Sequence, residues 1–351
     1  MMFSFNPSFP TLFILVFLLG SCHPPQSLSL EALEGNANSA KKLGEWLKAA
    51  QLFEKYYQLD DTNERANYEA GTNYLKANYP KKALAVLNIF TKTPQDTLAE
   101  FNGRPARIAK AYYKIKQFRE VIKAVDNYAY PKMYRGLARE HLKALIQLKE
   151  YDALGRYLLH YQQSGIYDDK GKSTNDGFLY RAVCNELMLV GETDRLLVYA
   201  NDYYNWAIAR QKKDKRNWAI AAFYQGDYLA TIPKLKDAIT SEKSPRHLLE
   251  LETLLGICYA NLGQVTNTNS QLAKLAKFQD LPPRHDAFGA KHYQQARIEV
   301  ALGQKEAAIA SLKKALRENA EFWSNKFKED GLLVYLFGQP EFEEMIRAKI
   351  R

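Results

Sequence analysis

Residues recur at an interval of 34 along the first third of this chain. Gly44 is matched by Asn78, Ala49 by Ala83, Phe53 by Leu87 and Tyr56 by Phe90. The segments concerned read GEWLKAAQLFEKYYQLDD and NYPKKALAVLNIFTKTPQ, with apolar residues three to four apart, the spacing of one helix face. Near the C-terminus the pattern returns as GQKEAAIASLKKALREN, and LLGICYANLGQ (254–264) supplies a matching first helix. A unit this short cannot bury its apolar face alone, so copies must stack on one another into an elongated array. That also accommodates a mature length of about 330 residues, more than a single core supports.

The repeat resembles that of the tetratricopeptide repeat (TPR) family. The family pattern places small residues at positions 8 and 20, large apolar ones at 11, 17 and 24, and Gly or Asn at 15. In the second repeat these positions fall on Gly71, Tyr74, Asn78, Pro80, Ala83 and Leu87, with Phe90 at the Ala-preferring position 27. Pro80 departs from the pattern, although Tyr79 lies beside it. The late copies give Gly256, Tyr259 and Gly263, then Ala296, Gly303, Ala308, Leu312 and Ala315. Small residues let two helices cross closely, and Gly or Asn at 15 tolerates the left-handed conformation that ends the first helix. Four degenerate copies lie between, around Ala109–Val121, Leu145–Leu158, Cys184–Ala200 and Ala219–Leu235. The resemblance implies an all-α, TPR-like right-handed α-solenoid of about eight helical hairpins over residues 30–321. Residues 322–351, FWSNKFKEDGLLVYLFGQPEFEEMIRAKIR, break the period. They read as a helix, a turn at Gly338-Gln339-Pro340 and an amphipathic helix, a pair suited to capping the last repeat.

In TPR proteins certain first-helix positions line a concave groove. Carried onto this sequence they give Arg65, Tyr68 and Lys76, then Lys110, Tyr113 and Lys114, then Arg139 and Lys143. Further along come Arg181 and Asn185, Lys213, Arg216, Asn217, Phe223 and Tyr224, and later Tyr293 and Arg297. Cationic and aromatic residues interleaved in this way suit an extended acidic peptide or a terminal carboxylate, which guanidinium forks hold bidentately. Arg181, Asn185 and Asn217 match the family's carboxylate clamp in part; the next repeat presents Glu250 and Leu254 where the family has cations.

The N-terminal stretch TLFILVFLLGSCHPP has an apolar run about half the length needed to span a bilayer, which suits an export signal. The preceding MMFSFNPSFP lacks the usual Lys or Arg. Leu19-Gly20-Ser21-Cys22 resembles the lipobox of bacterial lipoproteins. That resemblance implies removal of residues 1–21 and acylation of Cys22, with several chains giving stable anchoring. Residues 22–29 then form a short lipidated tether. His23 after the cysteine, with no acidic run following, points to the outer membrane facing the periplasm rather than the inner membrane or the cell surface.

The formal charge of +10 survives signal removal. Export sets nucleic acid aside as a partner and leaves acidic lipids or acidic protein segments. Cys184 and Cys258 sit in apolar helical patterns about two repeats apart, too far for a disulfide, and read as core residues. Gly171-Lys172-Ser173 ends like a phosphate loop, but five residues rather than four separate it from Gly165 and no strand precedes it. The whole insertion 164–177 reads as a solvated loop. His285 and His292 stand two helical turns apart, too far to share one ion. The sequence therefore predicts no enzyme, cofactor or metal, but a lipid-anchored scaffold that binds an envelope protein. The alternative is a nutrient-uptake lipoprotein that binds glycans or peptides beside an outer-membrane transporter.

Overall fold

A computed structural model describes residues 29–88, 103–126, 133–167, 173–174, 177–279 and 289–347. Cys22, Phe90, Gly171, Lys172 and His285 lie outside the described residues. The described chain is all-α and TPR-like. Its helices pair as α1 (Leu30–Lys42) with α2 (Trp46–Leu59), α3 (Glu64–Lys76) with α4 (Pro80–Leu87), and α5 (Arg104–Lys114) with α6 (Phe118–Asp126). Next come α7 (Arg135–Gln147) with α8 (Tyr151–Ser164), and α9 (Phe178–Val190) with α10 (Thr193–Ile208). The last three pairs are α11 (Lys215–Tyr224) with α12 (Tyr228–Ser241), α13 (Pro245–Asn261) with α14 (Val265–Ala276), and α15 (Ala290–Ala301) with α16 (Lys305–Lys328).

Each of these eight pairs turns on one residue with positive φ: Gly44, Asn78, Lys116, Lys149, Gly191, Gly226, Gly263 and Gly303. The backbone N–H of the next residue, as at Tyr79 and Gln264, reaches back to a carbonyl five residues earlier and closes the helix end. From Gly44 to Asn78 is 34 residues, whereas from Lys149 to Gly191 is 42. The hairpin is thus constant and the link between hairpins is what varies.

Close crossing within and between pairs is set by the small residues. Gly71 lies so near Leu87 that a Cβ there would come within 2.4 Å of the leucine Cγ. Gly256 lies as close to Ile298 of the following pair. Ala49, Ala83, Ala109, Ala200, Ala296 and Ala308 are fully buried at the same kinds of contact. The first helices pack on one another, α3 on α5, α5 on α7, α7 on α9, and α13 on both α11 and α15, forming the inner layer. Cys184 and Cys258 are buried, free thiols in the core. The 164–177 insertion is not wholly a solvated loop. Its β2 (Ile166–Tyr167) pairs in parallel with β1 (Met133–Tyr134) and antiparallel with β3 (Ser173–Thr174), and Ile166 is buried.

The last helix departs from the repeat. At Asn319 the backbone of α16 becomes extended (φ −156°, ψ 82°), and its side chain accepts from Phe322 N at 3.1 Å, restarting the helix in a new direction. A 3₁₀ turn (Gly331–Leu336) and α17 (Pro340–Arg347) follow. Trp323, Phe327, Leu333, Leu336 and Phe342 are buried along this stretch. Helix α17 packs on α16, as a terminal cap does, while the 3₁₀ turn packs on α9 and α15. Residues 322–336 therefore run along the inner layer instead of merely closing its end.

Candidate partner-binding groove

The inner layer brings several of the sequence-selected residues together. Lys110, Tyr113 and Lys114 of α5 face Arg139 and Lys143 of α7, with the Lys143 ammonium 4.1 Å above the Tyr113 ring. Three acids that the repeat positions do not include sit among them. Glu186, buried on α9, accepts from Gln147 Nε2 at 2.6 Å, from the Tyr113 hydroxyl, and lies 3.4 Å from Lys143 Nζ. Glu140, also buried, pairs with the neighbouring Arg139, whose Nε is 2.9 Å away. Burial alone would raise the Glu140 pKa, but Arg139, Lys143 and Lys110 outweigh it and hold the carboxyl below its ordinary range.

The third acid is Glu329, brought in by the redirected end of α16. Lys114 Nζ lies 3.8 Å from its carboxylate and donates to Asn325 Oδ1 at 3.1 Å. Burial is again the largest influence and acts upward; Lys110, Lys143, Lys114 and Lys326 together hold the pKa of Glu329 well below the carboxylate range. About a third of its side chain (36%) remains accessible, so water screens part of that attraction. Asn325 Nδ2 reaches the carbonyl of Lys76 at 3.3 Å, joining the end of the chain to its second hairpin.

Asn185 holds the next part of the same segment. Its Nδ2 donates to the carbonyl of Glu329 at 2.7 Å, and its Oδ1 accepts from Gly331 N at 3.0 Å. Gly331 is pressed against α9 so tightly that a Cβ would fall 2.6 Å from Met188 Cβ and 2.9 Å from the Asn185 carbonyl. Asp330, buried, accepts from the Tyr293 hydroxyl and lies 3.2 Å from Arg297 Nε, with Tyr224 close enough to feel both charges. Burial pushes the Tyr224 phenol up, and Asp330 adds to that while Arg297 opposes it. An aromatic stack of Tyr293, Trp323 and Phe327, with centroids 4.8–6.1 Å apart, fixes the segment from behind.

The other selected residues are dispersed. Arg65 is exposed on α3, and the hydroxyl of half-buried Tyr68 sits beside Gly103. Lys76 Nζ stands 3.8 Å over the Trp46 ring. Arg181 lies 4.0 Å from Glu250, so the acid at the family's cation position pairs with this chain's own arginine. Asn217 is buried at the start of α11, donating to Asp214 at 2.5 Å and accepting from Tyr203 at 2.7 Å. Arg181, Asn185 and Asn217 therefore do not converge on an open clamp. The expected run of cations along the groove is present from α5 to α9, but the chain's own carboxylates stand against it. His292, read as an ordinary histidine, hydrogen-bonds Gln295 at 3.1 Å. Among the described residues no helix is long and apolar enough to cross a membrane.

Comparison with known proteins gives no matching protein family and no matching curated protein. Among solved structures, the chain is similar to a tetratricopeptide repeat protein from Parabacteroides merdae, at 11% identity and a TM-score of 0.42, covering 92% of this chain and 99% of that one. It is also similar to the Cut9–Hcn1 hetero-tetramer of the APC/C, at 12% identity and a TM-score of 0.36, covering 94% of this chain and 57% of that one. The TPR2AB domain of yeast Sti1 in its complex with pHSP90 follows at 12% identity and a TM-score of 0.28, with 87% of this chain and 96% of that one covered. At these values the assignment of the fold rests on the helix pairs and their turns described above.

Proposed function

We propose that this chain is a non-enzymatic binding scaffold of the bacterial envelope, held at the outer membrane on its periplasmic side by acyl chains on Cys22. Its inner face recognises an acidic segment of a partner protein. The observation that supports this most is the seating of the chain's own Glu329-Asp330 on that face. Two carboxylates, a main-chain carbonyl and a main-chain N–H are read there by Lys114, Arg297 and Asn185. These are the contacts an extended acidic peptide offers, and charge-assisted pairs of this kind are about twice as strong as neutral ones. A partner segment therefore docks beside the chain's own segment or competes with it, at the end of the face where Arg65 and Lys76 lie.

The test is photo-crosslinking in native membranes, with the reactive residue placed at Arg65, at Lys76, or at exposed Leu229 of α12 as a control. The reading expects protein adducts from the first two positions that map to acidic stretches, and none from the third. It also expects Cys22→Ala to move the chain from the membrane to the soluble fraction. Adducts equal at all three positions, or membrane attachment unaffected by Cys22→Ala, contradict it.

A further inference from the structure

A second feature lies where the redirected end of α16 meets α2, α3 and α5. There the surfaces leave a pocket of about 190 Å³. Its wall carries Lys76, Arg107, Lys110, Lys114 and Lys326 against a single carboxylate, Glu329. Trp46 and Phe322 form part of the apolar remainder.

Two of the lining side chains carry polar atoms that are not matched among the described residues. Lys114 is shared between Glu329 and Asn325, and Lys76 stands over the indole of Trp46. Arg107 Nε and Thr72 Oγ1, both on the wall, are buried polar atoms with no hydrogen-bond partner among the described residues. A buried donor left unmade costs on the order of 1–3 kcal/mol, so a fold that keeps one is expected to fill it. Lys110 makes no ion pair within 4.0 Å among the described residues. Burial lowers its pKa to about 8, with Arg139 and Lys114 adding to the drop and Glu329 opposing it. Around a single lining carboxylate, Lys110, the open donor of Arg107 and exposed Lys326 thus leave a cavity whose missing component is negative charge.

We infer that this pocket binds a compact polyanion, a phosphate or a small dicarboxylate, that bridges the end of α16 to the second and third hairpins. Arg107 supplies the directed donor, Lys110 and Lys326 supply charge, and Thr72 supplies a hydroxyl. The pocket's volume suits a free small anion better than a peptide backbone, and Trp46 and Phe322 close it on the apolar side. The inference stands apart from the partner reading: the pocket wall shares Lys76, Lys114 and Glu329 with it, but the inference turns on Arg107, Lys110, Lys326 and Thr72 and does not require an acidic protein segment.

Calorimetric titration of the full-length chain in detergent with inorganic phosphate, and separately with succinate, tests it at constant ionic strength against sodium chloride. The expected result is saturable one-to-one binding of at least one of the two anions, and the two titrations separate a phosphate site from a carboxylate site. Arg107→Ala weakens that binding by at least tenfold and Lys326→Ala by several-fold, while Lys305→Ala, which removes an equal charge elsewhere on α16, leaves it unchanged. Lys326 is exposed, so its variant folds and decides the matter even where Arg107→Ala does not. Neither anion binding above the chloride control overturns the inference, as does binding that Lys326→Ala and Arg107→Ala leave unchanged.

Discussion

Replacing Asn185 by alanine separates the end of the chain from the inner face with little other disturbance. The side chain makes one bond to each side of the Glu329–Gly331 backbone, at 2.7 and 3.0 Å. Alanine removes both and leaves a carbonyl and an N–H facing α9 without partners. Each unmade buried group costs roughly 1–3 kcal/mol, and Asn185 is half-buried, so water recovers part of one of them. The expected loss is about 2–4 kcal/mol. Asn185→Asp keeps the acceptor for Gly331 but loses the donor to Glu329 and adds a carboxylate near that residue, so it costs at least as much as losing one bond. Urea unfolding followed by tryptophan fluorescence measures this, because Trp323 is buried in the same segment. An Asn185→Ala midpoint that coincides with the wild type would refute the reasoning.

Further perturbations address other parts of the fold. His141 is buried with its Nδ1 2.6 Å from the Tyr161 hydroxyl, and burial lowers its pKa from 6.5 to about 4. The unfolded chain binds that proton first, so stability is complete above about pH 6.5 and falls by roughly 3 kcal/mol as the pH approaches 4; His141→Gln should flatten this slope in denaturation measured across that range. Gly71→Ala presses a methyl group into Leu87 and should cost about 1–3 kcal/mol, more than Gly256→Ala, where the nearest atom is the mobile end of Ile298. At the turns, Gly191→Ala meets no neighbour within 4 Å and should lose about 1 kcal/mol through its φ of +74° alone. Lys149→Gly, relieving a φ of +57°, should gain up to about 1 kcal/mol by the same measurement.

The hairpins were legible because the residues that shape them are chemically narrow. Gly71, Ala83, Asn78 and Gly263 occupy close crossings or left-handed turns that few side chains tolerate. Lys116 and Lys149 hide the third and fourth turns, since nothing about lysine announces a positive φ. The selected cations of α5 and α7 do share one face. What the repeat positions missed is the countercharge: Glu140 and Glu186 sit one residue beyond the selected Arg139 and Asn185, on the edge of the same helical faces. Glu329 and Asp330 come from outside the repeats, where periodicity says nothing. The signal that was available is GLLVYLF (331–337), too apolar for the polar-backed end of a solenoid and hence in need of a surface to cover it. Which surface it covers depends on the bend at Asn319, a long-range outcome that local pattern does not encode.

Hydrogen exchange across residues 325–336 tests the central claim, that the chain's own C-terminal segment occupies its inner face. The amides of Gly331, bonded to Asn185, and Leu333, bonded to the Asp330 carbonyl, should exchange at least about 30-fold more slowly than in an unstructured peptide. In Asn185→Ala that protection should fall at Gly331 while α13 keeps its own. Exchange of both amides at free-peptide rates in the wild-type chain would contradict the account.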